Sequence, residues 1–388
     1  MGWSPFRKTG LTYHQPAQSY KGYTLITPSG GDASFLLDMD GRIVHTWRYR
    51  DIRPGYARLL PNGNLLARGV DRTLPPPQPV PPGSPPPPFE QHVRRLGAAS
   101  THLQELDWEG NVVWQFRHNA IHHDFVRLAN GNTLVAWWVE LSADLARRVR
   151  GGIGPRPREK LPPMLSDDIV EIDPTGKEVW RVSLWRLLDP VKDPICPLET
   201  RWEWTHLNGL AVTREGDVVF SCRQNSRVGI VERATGKLRW KYGFPDVSHQ
   251  HNAQSLDNDN VLLFDNGMHR VGLPRSRVVE VNPKDNAVVW QYEGEPAEQF
   301  FSGHVSGADR LPGGTTLICE GASGRIFEVT PRGEVVWEWV NPFSYRVQGR
   351  LMPLLFRAHR YGPDHPAVAD RRLDPHAYDD LNRLHGLL

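Results

Sequence analysis

Along most of the chain, apolar and polar positions alternate with period two. Short polar or glycine-bearing turns interrupt the alternation at close intervals, as in half-buried antiparallel strands. The stretch 248–267, SHQHNAQSLDNDNVLLFDNG, shows the pattern in one place. Its first half reads as a strand, Asp257-Asn258-Asp259-Asn260 is turn chemistry, and Val261-Leu262-Leu263-Phe264 is a buried returning strand. His249 and His251 are two residues apart, which predicts that both lie on one face of the first strand.

Two landmarks recur. One is a turn followed by Val-x-Trp or a close variant: DGRIVHTW (40–47), EGNVVWQF (109–116), TGKEVWRV (175–182), TGKLRWKY (235–242), DNAVVWQY (285–292) and RGEVVWEW (332–339). An alternating strand precedes each, so this is one hairpin written six times, with its tryptophans as packing residues on outer strands. The other is strand–turn–strand: YARLLPNGNLLAR (56–68), HHDFVRLANGNTLVAW (122–137), HLNGLAVTREGDVVFSCR (206–223), HNAQSLDNDNVLLFD (251–265) and GADRLPGGTTLICEG (307–321). The landmarks alternate, giving units of four antiparallel strands, A to D from the inside out. Repeats of this kind predict an all-β fold, a six-bladed β-propeller with a short C-terminal helical tail.

The expected organisation is one propeller domain over 1–388, with blades at 22–50, 55–118, 122–184, 205–243, 249–294 and 303–341 and a tail at 343–388. Only five A strands are visible, because the first blade opens on GYTLITP (22–28) as its strand B. Its inner strand is expected from 355–361 rather than from 11–18, where Pro16 would interrupt the ladder. Insertions at 74–91, 139–167 and 185–204 break the repeat. The first reads as a stiff polyproline loop. The second carries Arg147, Arg148, Arg150, Arg156, Arg158 and Lys160, read as a solvated face. All three fall at connections expected on the face where the A strands begin, so they read as a lid or substrate wall.

The chemistry lies at the starts of the inner strands. Counting back ten positions from Gly216, Asp259 and Gly314 in the inner turns gives His206, His249 and His304. Counting back eight from these and from Gly131 gives His123, Asn208, His251 and Ser306. The turn of the fourth blade reads one residue long, which blurs its register. Innermost strands line a propeller's channel, so these groups are expected at one end of it, with Arg223 close enough in register to join them. His45 and His102 fall on outer strands and read as structural. His122 alternates away from His123, and His269 sits in a loop that reaches the rim.

Composition adds mainly exclusions. The net charge of +2, from 46 basic and 44 acidic residues, implies no field suited to nucleic acid. No apolar run reaches membrane-spanning length. Three cysteines without CxxC spacing read as reduced thiols, and MGWSPFRKTGLTYHQ has no apolar signal core, so a cytoplasmic location is expected.

The HHD opening at 122–124, WTHLNG followed by SCRQ (204–209 and 221–224) and QHNAQSLDNDNVLLFDNG (250–267) resemble the bacterial arylsulfotransferase family of six-bladed propellers, over most of 22–343. The resemblance implies sulfuryl transfer from an aryl sulfate to a phenol through a sulfohistidine, with neither a nucleotide donor nor a quinone cofactor. It implies His251 as nucleophile, His206, Asn208 and Arg223 on the sulfuryl oxygens, and His123 as acid and base. The partner would be a small aromatic molecule, with His249, His304, Ser306, Trp202 and Trp204 as its surroundings. The well-known members of the family are periplasmic. His304 lies outside the family pattern.

Two other readings stay open from the residues. His123, His206, His251 and His304 together would suit Fe, Zn, Mn or Cu in a metal-dependent lyase, oxidase or hydrolase. Alternatively the propeller is a non-enzymatic binding module whose histidines are structural.

Overall fold

The computed structural model describes residues 8–78, 80–81, 84–155, 161–347 and 349–388. Arg156, Arg158 and Lys160 lie outside the described residues.

Six antiparallel blades follow one another, listed here from inner to outer strand. Blade one is Leu355–Tyr361, Tyr23–Pro28, Ala33–Leu37 and Ile43–Arg48. Blade two is Ile52–Leu59, Leu65–Asp71, His102–Leu106 and Val112–Arg117. Blade three is Ile121–Arg127, Thr133–Glu140, Leu165–Ile172 and Glu178–Ser183. Blade four is Leu207–Val212, Val218–Cys222, Arg227–Glu232 and Lys237–Gly243. Blade five is His251–Ser255, Val261–Asp265, Arg277–Val281 and Val288–Glu293. Blade six is Gly307–Arg310, Thr316–Glu320, Arg325–Val329 and Val335–Val340, with Gly10–His14 as a fifth, outer strand. The fold is therefore an all-β six-bladed propeller with a short C-terminal helix, Asp379–Leu384.

The expected inner strand of blade one is present: Tyr23 pairs with Tyr361 and Leu25 with His359. The rival segment is used too, on the other side of blade six, where Leu11 pairs with Trp339. That strand ends at His14, before Pro16.

The inner turns are uniform. Gly131, Gly216 and Gly314 have φ of 86°, 90° and 85°, and Asp259 takes the same left-handed position at 64°. Each donates its N–H three residues back, to Leu128, Thr213, Leu311 and Leu256 respectively. The fourth blade's turn is thus no longer than the others, which corrects the reading from the sequence.

The chain divides into two compact units. The first comprises Met1–Arg72, Leu103–Gln115 and His304–Leu388. Its core includes Phe35 stacked on Phe343 at 4.5 Å and the fully buried Trp337 and Trp339. The tail docks on blade one through Asn382, which accepts from Ile43 N (2.8 Å) and donates to Ile43 O (3.2 Å). The second unit comprises Thr73–His102 and Phe116–Gly303, with Leu134, Ile169, Leu207, Leu210 and Phe220 in its core.

The repeated tryptophans pack as expected and also bridge blades. Trp47 Nε1 donates to Asp107 O and Trp337 Nε1 to Met39 O in the first unit. Trp180 Nε1 donates to Arg233 O and Trp240 Nε1 to Asn286 Oδ1 in the second. Each indole buries its rings while its one donor reaches a neighbouring turn.

Within the second unit the insertions knit together. Gly151–Ile153 pairs in parallel with Ile195–Thr200, and Leu165 and Trp202–Trp204 exchange backbone hydrogen bonds. The polyproline stretch leads into a short helix, Phe89–Val93, whose buried His92 packs edge-on to Trp202 at 6.1 Å. Arg147, Arg148 and Arg150 are exposed, as a solvated face requires. Among the described residues no helix is long and apolar enough to cross a membrane.

Candidate functional site

The second unit carries histidines at the entries of all three of its inner strands. His123, His206 and His249 each sit at left-handed φ, 43°, 58° and 56°. A non-glycine residue there costs on the order of 1–3 kcal/mol and persists only where its surroundings over-determine it. The ladders slip at the same places: between Phe125 and His122 in blade three, at Asn208 in blade four, and between His251 and Gln254 in blade five. Each slip is a bulge that re-aims the side chains beside it. Strict alternation fails here. The strand starts at His251, so His249 precedes it at left-handed φ, and the two rings meet different partners, Glu199 and Asn266.

The three entries are stitched to one another. Asp124 Oδ2 accepts from Leu210 N (2.9 Å), and Asn208 Nδ2 donates to Gln250 O (2.8 Å). Gly209 allows the close approach, since a Cβ there would stand 3.2 Å from Asn252 N.

His251 is buried, with its Nδ1 2.7 Å from Asn266 Oδ1. Asn266 has its amide turned the other way, donating Nδ2 to Ser302 O at 2.7 Å. The oxygen therefore faces His251, the imidazole proton sits on Nδ1, and the lone pair is on Nε2.

His123 and His206 meet edge to face at 4.4 Å between ring centres. Behind His123 runs a chain: its Nδ1 is 2.8 Å from His122 Nδ1, and His122 Nε2 is 3.0 Å from Asp167 Oδ1. His122 also stacks on Trp138 at 4.1 Å. His122 Nε2 and Asp167 Oδ1 are in ion-pair range without an aligned hydrogen bond, and one proton is shared between the Nδ1 atoms of His122 and His123. His206 is oriented by Glu203, whose Oε2 takes His206 Nδ1 at 2.7 Å and Trp138 Nε1 at 2.9 Å.

Arg223 Nη1 lies 2.7 Å from Glu199 Oε1 and donates to Gln224 Oε1 at 2.9 Å. Glu199 Oε1 also lies 3.2 Å from His249 Nε2. Burial would raise the Glu199 carboxyl, but the His249 ring and the Arg223 guanidinium more than offset it and hold it at about 2. Burial pushes the His249 pKa down, opposed in part by Glu199.

Three expectations change. Trp204 is fully buried in the core, its Nε1 bound to Asp193 O at 2.7 Å, so it is a packing residue and not an aromatic wall; Trp202 is half-buried beside His92. His304 and Ser306 belong to the first unit, His304 exposed and Ser306 buried with its Oγ accepting from Gly321 N. Among the described residues the group with metal-ligand spacing is Cys196, His249 and His269, not His123, His206, His251 and His304. Periodicity could not reveal Asn266, Asp167, Glu203, Glu199 or His92, which come from strand ends and insertions. The stacked His45, read as structural, is so: its ring lies 4.0 Å from Trp108 and its Nε2 contacts Trp108 O.

A propeller with imidazoles gathered at bulged inner-strand entries is the class these observations define. The family profile described as Arylsulfotransferase (ASST) matches residues 91–342, and the chain belongs to that family. No curated protein matches it. Among solved structures, a protein of unknown function from Bacteroides caccae is similar at 13% identity, with a TM-score of 0.53 over 88% of this chain and 98% of that one. A streptogramin B lyase is similar at 11% identity, TM-score 0.46, over 91% and 93% of the two chains. A catalytically inactive virginiamycin B lyase from Staphylococcus aureus with quinupristin is similar at 11% identity, TM-score 0.43, over 76% and 73%. At these identities the likeness concerns the fold alone.

Proposed function

We propose that this protein transfers a sulfuryl group from an aryl sulfate to a phenolic acceptor through a covalent intermediate on His251. Membership of the arylsulfotransferase family supports transferase chemistry in general. The observation that carries the specific reading is the Asn266 contact, which leaves the His251 lone pair on Nε2, the form a nucleophile needs.

In the first half-reaction His251 Nε2 bonds to sulfur, the bond from sulfur to the aryl oxygen breaks, and the leaving phenolate takes the Nε2 proton of His123, which enters this step as the imidazolium and leaves it neutral. In the second, His123 removes the acceptor's phenolic proton, that oxygen bonds to sulfur and the N–S bond breaks. The Asp167–His122 pair holds His123 for both steps. Arg223 supplies donors for the sulfuryl oxygens, and His206, its Nδ1 on Glu203, does so from Nε2 in its protonated form. Asn208, with its amide on Gln250 O, positions the entry of the His251 strand.

The test is transfer from p-nitrophenyl sulfate to phenol by the purified protein. Nitrophenol release that needs the acceptor, with His251 gaining the mass of one sulfuryl group when donor is given alone, is the expected result. A His251→Ala protein as fast as the parent would end the assignment.

A further inference from the structure

Beside the histidines of the proposed reaction lies a second cluster of donors that sulfuryl transfer does not use. Cys196 and Glu199 come from the strand Ile195–Thr200 in the third insertion, while His249 and His269 come from the two ends of blade five's inner hairpin. Cys196 Sγ is 3.4 Å from His269 Nδ1, His249 Nε2 is 3.2 Å from Glu199 Oε1, and His269 Nδ1 is 3.9 Å from the same oxygen. The thiol and the two imidazole donors all lie within 4.8 Å of one another. A tetrahedral zinc with bonds of 2.0–2.3 Å has edges of about 3.3–3.8 Å, so these separations bracket the size of such a shell.

The proton positions make the cluster more than a matter of spacing. Ser248 Oγ donates its single hydrogen to Met268 O at 2.6 Å. It must then accept from His249 Nδ1, 3.1 Å away, so the proton of His249 is on Nδ1 and the lone pair on Nε2. That lone pair faces the Glu199 oxygen at 3.2 Å, and His249 Nε2 is fully buried with no aligned hydrogen bond. With the ring neutral, two electron-rich atoms at that distance repel unless a proton or a metal cation lies between them. The Ser248 contact is also what a ligating imidazole receives from its outer partner. His249 and His269 are both held at left-handed φ, 56° and 62°, which aims two rings from one hairpin at one point, edge to face at 4.8 Å.

We propose that Cys196, Glu199, His249 and His269 form a binding site for one borderline-soft divalent cation of the zinc type. A thiolate and a carboxylate, the latter shared with Arg223, offset most of the charge of a 2+ ion, and the two imidazoles complete a four-ligand shell. The ion ties the third insertion to blade five and fixes the carboxylate that holds Arg223. The site stands independently of sulfuryl transfer and is tested without an activity assay.

The experiment is titration of chelator-treated, reduced full-length protein with Zn²⁺ by calorimetry, and with Co²⁺ by absorption. Cys222 and Cys319 are fully buried inside blades, so a thiolate-to-cobalt charge-transfer band reports Cys196. Expected are one zinc per chain, a raised unfolding temperature with zinc, and loss of the cobalt band in Cys196→Ser. Ser248→Ala retains every ligand but loses the proton lock, and is expected to weaken zinc binding about 10–100-fold. The parent protein's titration decides the matter even if a variant misfolds. Absence of saturable binding near one equivalent, or equal binding by Cys196→Ser and His269→Ala, overturns the proposal.

Discussion

The inner strands of the two units come from one repeat but have been given opposite chemistry. In the first unit the polar groups of the inner strands of blades one and two satisfy one another. His359 Nδ1 meets Asp309 Oδ2 at 2.5 Å, His359 Nε2 meets Tyr56 Oη at 2.6 Å, and Arg58 Nε donates to that same hydroxyl at 2.7 Å. In the second unit polar groups sit at the strand entries, on left-handed residues beside bulges, and His123, His206 and His251 are each met at Nδ1. Asn266 takes His251 by Nδ1, and His122 takes His123 by Nδ1. A network whose proton positions close on themselves specifies a core. One that fixes an imidazole through Nδ1 sets its tautomer and the direction of its Nε2.

The contrast can be broken by moving the loss of function to the wrong unit. His123→Ala is expected to lower kcat by about 10²–10⁴-fold with p-nitrophenyl sulfate, whereas His359→Ala leaves kcat near the parent value in protein that remains folded. The reverse result would make the closed network the working one. Asn266→Ala should reduce kcat/KM by about 10–100-fold by freeing the His251 tautomer, with a shifted pH profile that a purely structural role would not give. Tyr56→Phe tests the other half. It leaves Arg58 and His359 without their shared partner and is expected to cost about 1–3 kcal/mol in urea unfolding, with little change in turnover.

The smallest effect concerns pH. Burial lowers the His45 pKa from 6.5 to about 4, despite the Trp108 carbonyl that raises it, so between those values the unfolded chain binds more protons than the folded one. Stability contributed by neutral His45 is complete above pH 6.5 and is lost as pH falls toward 4. His249 is shifted the same way by burial, and Glu199, held at about 2, adds a further loss between roughly pH 4.5 and 2. His45→Gln should flatten the first part of the curve and Glu199→Gln the second, as read by unfolding free energy against pH.

The strands were legible in the sequence because a blade must alternate apolar and polar residues and must turn on a left-handed residue, and both demands leave local marks. The C-terminal strand of blade one was found by the same logic, from an edge that needed covering. The histidines were legible as a set through their spacing from the turns. Their directions were not, because a bulge adds one residue and resets the face without any change in composition. That is why His249 and His251 look equivalent on paper and have different neighbours in space. Asp167, Glu199, Glu203 and Asn266 left no mark, since a supporting carboxylate or amide is chosen by position in three dimensions and obeys no period.

Blade one also sets an order of events. Its middle strand, Tyr23–Pro28, leaves the ribosome early, while the strand that completes it, Leu355–Tyr361, emerges most of the chain later. Until then the nascent protein carries an uncovered backbone edge, a standing invitation to pair with another polysome-bound copy. Chaperone demand in the cell should therefore track how long synthesis takes, and not only how stable the finished protein is.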